Sequence, residues 1–337
     1  MLNIIDHVPD GLLAADARHL HEVLAGPTLI HLPGRRPEPL FVSVLLHGNE
    51  DTGLTAVQAL WRKYQGRELP RALSVFIGNV AAARHGMRRL EGQPDYNRIW
   101  PGGEAGQTPE HAMMGQVVAE MRARGVFASV DVHNNTGLNP HYACVNRIDQ
   151  RFFHLATLFS RTVVYFIRPL GVQTAAFAEL CPAVTLECGQ PGQAYGVEHV
   201  LDYLEACLHL AEIPTHPVAE HDMDLFHTVA TVTVPAAVDF GFGDAAADIR
   251  FVGDLDHLNF RELPAGTLLG WLRPDGGVRL EVRDEQGREV GADFFRWDHG
   301  EIRTARPLMP SMLTLDQRVI RQDCLCYLME RYPLAGA

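Results

Sequence analysis

Five apolar runs punctuate the first half of the chain: FVSVLL (41–46), ALSVFIG (72–78), VFASVDV (126–132), VVYFI (163–167) and AVTLE (183–187). Each is short and rich in β-branched residues, and each reads as a buried strand. Between them, apolar positions recur at helical spacing near 12–25, 53–64, 109–124, 150–161 and 194–212. One helix boundary is sharply written. Thr108 can cap, Pro109 suits the first helical position and Gly125 can close the far end. Strands alternating with helices predict an α/β domain on a mixed, largely parallel sheet flanked by helices.

The texture changes after IPTHPVAEHD (213–222), where Pro214 and Pro217 interrupt the helical pattern. LFHTVATVTV, VRLEVRD, DFFRW and YLMERY follow as short runs separated by Gly, Pro and Asp turns. The expected organisation is an α/β domain over 1–215 and a β-rich C-terminal domain over 216–337 that covers or shapes the first.

Composition narrows the function classes. At 337 residues with 47% hydrophobic and 21% charged content, the chain is globular and long for a single core. A net charge of -12 argues against nucleic-acid or anionic-membrane partners, both of which need a basic footprint. No apolar run reaches the roughly 18 residues of a spanning helix, and the start of the chain lacks a signal-peptide pattern, so a cytoplasmic location is expected. Lys63 is the sole lysine. The six cysteines form no CxxC pair, which predicts reduced, buried thiols.

The candidate chemistry lies at strand ends. HGNE (47–50) follows the first run, and His-x-x-Glu there places an imidazole and a carboxylate outside the carboxyl end of a strand, where open α/β sheets bind ligands. The pair alone is weak, since roughly one such match is expected by chance among 17 histidines. The chain carries its own decoy in His19 and Glu22, inside a helical pattern. Gly48 permits a tight turn, and Asn49 is positioned to cap the next helix. A catalytic zinc needs three protein ligands and an open position, and His133, which closes VFASVDV, is the third candidate beside His47 and Glu50. Glu187 closes AVTLE and supplies the base that must accept and return a proton. The loop GMRRLEGQPDYNRIWPGG (86–103) is rich in Arg, Asp and Asn, and Arg98 with Asn97 is the candidate grip for a substrate carboxylate.

Taken together these residues resemble the succinylglutamate desuccinylase/aspartoacylase family, which is related to the zinc carboxypeptidases. The matching elements are HGNE (47–50), GN (78–79) followed by Gly-x-Arg (86–88), DYNR (95–98), DVHNNTG (131–137) and Glu187, over about residues 40–190. The resemblance implies a zinc carboxypeptidase-like fold and one Zn2+ per chain on His47, Glu50 and His133. It further implies Glu187 as general base and then acid, and Asn97 with Arg98 on the substrate carboxylate. Arg88 would stabilise the oxyanion and Asp95 would fix the tautomer of His47. Tyr96 stands where the family usually has Leu, and two extra residues separate Arg88 from Asp95, which leaves Arg89 as an alternative to Arg88.

The activity implied is hydrolysis of the amide of an N-acyl amino acid, a small molecule carrying a carboxylate. The same zinc and arginine would serve a carboxypeptidase acting on a short peptide. A zinc-binding module without catalysis is the reading from another class, and Glu187 argues against it, because such a module needs no base there. A homo-oligomer is compatible with the sequence.

Overall fold

The computed structural model describes residues 1–104, 106–273 and 277–333. The chain divides into two compact units, one of Met1–Asn134 with His141–Asp224, the other of Asn135–Pro140 with the chain from Leu225 onward.

In the first unit eight strands form a sheet: β1 (Asn3–Ile5), β2 (Thr28–Leu32), β3 (Gly34–Val44), β4 (Leu69–Ile77), β5 (Ala128–His133), β6 (Tyr142–Val145), β7 (Thr162–Tyr165) and β8 (Ala183–Glu187). Their order is β1-β2-β4-β3-β5-β8-β6-β7. The four central strands β4, β3, β5 and β8 are mutually parallel. Strand β2 pairs with β4, and β6 with β8, in the antiparallel sense. The helices are α1 (Thr52–Lys63), α2 (Val80–Ala83), α3 (Pro109–Ala123), α4 (Gln150–Thr157), α5 (Gln173–Phe177) and α6 (Ala194–His209). Strand β3 is buried on both faces over its last six residues, which explains its unbroken apolar run.

All five expected strands are present, as β3, β4, β5, β7 and β8. Strands β1, β2 and β6 are additional; they are three to five residues long, and TLIHL and YACV are too short to carry a period. Thr108 caps α3 as expected, accepting from the His111 N–H, and Gly125 follows at φ +63°. The helix expected over 12–25 is corrected to a 3-10 turn, Ala17–Glu22. Asp16 accepts from the N–H groups of both Arg18 and His19, which starts the turn only at Ala17. The decoy His19 lies there in solvent, its Nδ1 2.8 Å from Asp16 Oδ1. An aromatic core ties α5 to the sheet: Phe41 stacks on Phe177 at 4.4 Å, and Trp100 meets Phe76 and Phe177 edge-on.

The second unit is β-rich. Strand β9 (Asp224–Thr233) leads into β10 (Phe240–Phe242), β11 (Ile249–Phe251), β12 (Leu268–Leu272), β13 (Glu281–Asp284), β14 (Phe295–Arg296), β15 (Glu301–Thr304), β16 (Met309–Ser311) and β17 (Cys326–Arg331). Five of these form a separate sheet in the order β10-β11-β12-β15-β14. The hydrophobic core of the unit includes the fully buried Ile249, Phe251, Val282 and Ile302. DFFRW is only partly strand, because its first residues close the short helix α7 (Gly291–Phe294). All six cysteines are buried and none forms a disulfide. No described helix is long and apolar enough to cross a membrane.

Candidate active site

The site is assembled where three adjacent parallel strands end. After β3 the backbone turns at Leu45, whose φ of 54° lies in the left-handed region that a leucine rarely adopts. Gly48 is required by close approach: a Cβ there would fall 2.2 Å from the backbone nitrogen of Ala83. Its N–H donates to the Arg88 carbonyl at 3.1 Å, which ties the HGNE turn to the arginine-rich loop. The expected cap by Asn49 is corrected. Helix α1 starts at Thr52, after Asp51, and the Thr52 N–H donates instead to Asn134 Oδ1 at 3.3 Å. The cap comes from the strand end that carries His133, so helix and second histidine are positioned together.

His47, Glu50 and His133 converge. One ligand-capable atom from each lies within 4.8 Å of the others, and all three residues are buried. The Glu50 carboxylate sits between the imidazoles, with Oε1 2.8 Å from His47 Nδ1 and Oε2 2.7 Å from His133 Nδ1. The far side of each ring also faces an acid. His47 Nε2 is 3.1 Å from Asp95 Oδ1, and His133 Nε2 is 2.8 Å from Asp131 Oδ2. A carboxylate behind an imidazole holds one tautomer and one ring orientation, leaving Nδ1 free to ligate.

Asp131 is the residue that sequence reasoning missed. It is fully buried, and its other oxygen accepts from the Ser43 hydroxyl at 2.7 Å. The signal was present in DVH, since residues two apart on a strand share a face and an acid inside an apolar run requires a partner.

Electrostatics support a cation at the centre. Burial alone would raise the Glu50 carboxyl, but the two imidazoles beside it hold it well below the usual carboxylate range. Asp95 behaves likewise, with burial outweighed by His47 and Arg88. Burial opposes the charged form of His133, yet Asp131 and Glu50 push its proton affinity well up. Three acids (Glu50, Asp95 and Asp131) gather around the two imidazoles with Arg88 beside them, an acid-rich setting that suits a cation. Two imidazoles and a carboxylate form a donor set suited to zinc and neighbouring metals, so the residues present fit a metal ion.

The loop residues are resolved by contact. Arg88 lies in the site: its Nη2 donates to Asp95 Oδ2 at 3.1 Å and its Nη1 is 3.7 Å from Glu50 Oε1. Arg89 turns away and donates to the Gln93 carbonyl. Asn97 is buried beside the centre, its Nδ2 3.2 Å from His133 Nε2 and its Oδ1 accepting from the Gln173 N–H. Arg98 is partly buried, its Nη1 donating to the Asn97 carbonyl. Trp100 anchors this segment by donating to the Tyr96 carbonyl at 2.8 Å. Glu187 lies level with His133 across the β5–β8 ladder. Burial, countered in part by His133, pushes its carboxyl up to about 8.

A mixed, largely parallel α/β sheet with a buried His-Glu-His group at its strand ends has the architecture of a desuccinylase/aspartoacylase-type deacylase. Residues 39–199 match the succinylglutamate desuccinylase/aspartoacylase catalytic domain, and this segment carries that family's catalytic domain. The succinylglutamate desuccinylase from Chromobacterium violaceum is similar in fold, with 17% identity, TM-score 0.57, and coverage of 90% of this chain and 87% of that one. The succinylglutamate desuccinylase/aspartoacylase from Rhodobacter sphaeroides shows 14% identity, TM-score 0.58, and coverage of 90% and 88%. Murine aminoacylase 3 shows 12% identity, TM-score 0.56, and coverage of 88% and 96%. No curated protein sequence matches the chain.

Proposed function

We propose that the protein is a zinc-dependent amidohydrolase that cleaves the amide of an N-acyl amino acid, releasing a carboxylic acid and a free amino acid. The observation that carries this reading is the convergence of His47, Glu50 and His133 with Glu187 beside them on the neighbouring strand. The names of the similar enzymes, desuccinylase and aminoacylase, point to the same substrate class. One zinc ion per chain, held by His47, Glu50 and His133, would supply Lewis acidity and lower the pKa of water it binds.

The chain's own groups do the rest. Glu187 accepts a proton from the attacking water and returns it to the nitrogen of the leaving amine. A carboxyl raised towards neutrality by burial is suited to both steps near pH 7. Arg88 donates to the carbonyl oxygen as negative charge develops there, and Asp95 keeps that guanidinium in place. Arg98, with Asn97 beside it, binds the substrate carboxylate, which holds the amide at attacking distance. Asp95 and Asp131 keep the two imidazoles oriented.

The deciding experiment is turnover of a panel of N-acetyl and N-succinyl amino acids and dipeptides by the zinc-loaded protein. Hydrolysis of the acyl amino acids in preference to the dipeptides is expected. Preference for dipeptides would establish a carboxypeptidase instead.

A further inference from the structure

A cavity of about 770 Å³ opens at the other end of the sheet from His47 and Glu187. Its wall comes from the end of β2, the beginnings of β3 and β4, and Arg124 just before β5. The parallel strands enter the sheet here and deliver the catalytic candidates at their opposite ends, so the two places are separate.

His31 and Ser74 line this cavity as register partners on β2 and β4. His31 is 7% exposed and Ser74 2%. His31 Nδ1 lies 2.8 Å from Ser74 Oγ, and Nε2 is buried with no hydrogen-bond partner. A buried polar atom left unpaired costs about 1–3 kcal/mol, so such an atom calls for a ligand or another function. The pair is not arranged as a nucleophile and base, because no acid orients the ring from Nε2. With the Ser74 hydroxyl donating to Nδ1, a neutral ring carries its proton on Nε2 and presents a donor. The ring is held neutral: burial first, and Arg124 second, lower its pKa to about 4.

Arg124 is exposed and has no ion-pair partner among the described residues. Asp6, the one acid in the lining, is engaged with His7 Nδ1 at 3.2 Å. Much of the remaining wall is apolar, including Leu32, Pro37, Pro39 and Ala72. A free guanidinium, an unmet N–H and an apolar wall together fit a carboxylate attached to a hydrocarbon body.

We propose that this cavity is a second ligand site for a small carboxylate with an apolar body, whose oxygens pair with Arg124 and accept from His31 Nε2, and whose body lies against Leu32 and the prolines. The site is independent of the proposed deacylase chemistry, and its test does not read activity.

Hexanoate, acetate and inorganic phosphate are titrated calorimetrically into the zinc-loaded full chain and into Arg124→Glu, His31→Phe and Arg98→Ala. Saturable binding of one hexanoate per chain is expected in Arg98→Ala, where the active-site carboxylate grip is gone, at least about tenfold tighter than acetate or phosphate. Arg124→Glu and His31→Phe should each weaken it about tenfold or more, as removal of a charged or buried partner does, while Arg98→Ala leaves it unchanged. Absence of saturable binding would overturn the proposal. So would hexanoate binding no tighter than acetate or phosphate, or binding lost in Arg98→Ala but retained in Arg124→Glu. Arg124 is on the surface, so its variant keeps the test valid if His31→Phe fails to fold.

Discussion

At the scale of single residues, the site depends on acids placed behind the atoms that react. Glu187→Gln keeps the size and burial of the side chain but removes the carboxyl proposed to take the proton. Turnover should fall at least about a hundredfold while zinc content, measured by atomic emission on the purified variant, stays at the wild-type level. Asp131→Asn leaves all three candidate ligand side chains intact and removes the carboxylate beside His133 Nε2. Its metal affinity, read by competition with a chromophoric chelator, should drop about 10–100-fold. Wild-type affinity in that variant would show that the Asp131 contact is merely structural. His31 supplies a separate pH signature. Its pKa is lowered from 6.5 to about 4 in the fold, so the unfolded chain binds the proton more readily. The stability it contributes is complete above about pH 6.5 and is lost as pH falls through that value towards 4, by at most about 3 kcal/mol. The difference in urea-unfolding free energy between wild type and His31→Asn should therefore shrink across that window, and a constant difference would contradict the assignment.

At the scale of elements, His47, His133 and Glu187 were legible because each closes a strand-like apolar run, and a strand has a definite end at which to place a side chain. The candidate ligand group needed nothing more than those runs and the His-x-x-Glu spacing. The partners of these residues were harder to read. Asp131 sits inside its run and looks like a break in it, and Asn134 caps α1 from a different segment, a relation no local pattern contains. The choice between Arg88 and Arg89 also turned on tertiary contact, since adjacent arginines in a loop are equivalent by sequence. Strands β2 and β6 escaped because they are short and their pairing is non-local. Gly48 joins element to site. Gly48→Ala would push a methyl into the Ala83 backbone, and because backbone cannot swing aside, the HGNE turn must shift. We expect a loss of about 2 kcal/mol or more in unfolding free energy, together with weakened metal binding. Wild-type stability in urea titration would show that the turn is softer than the packing indicates.

At the scale of the whole molecule, the acid-rich centre is proposed to be completed by a cation. Anything that binds the folded chain and not the unfolded one stabilises it, so zinc at a free concentration a hundred times its Kd should contribute about 2.7 kcal/mol. Removing zinc with a chelator should lower Tm, and restoring the ion should recover it. Whether one divalent ion sits among His47, Glu50 and His133 is read most directly by anomalous diffraction at the zinc absorption edge from crystals of the zinc-loaded protein. A single strong peak contacted by those three side chains, with Glu187 facing it, is the predicted result. A peak elsewhere, or none at the three residues while the dissolved crystals still hydrolyse an N-acyl amino acid, would contradict it.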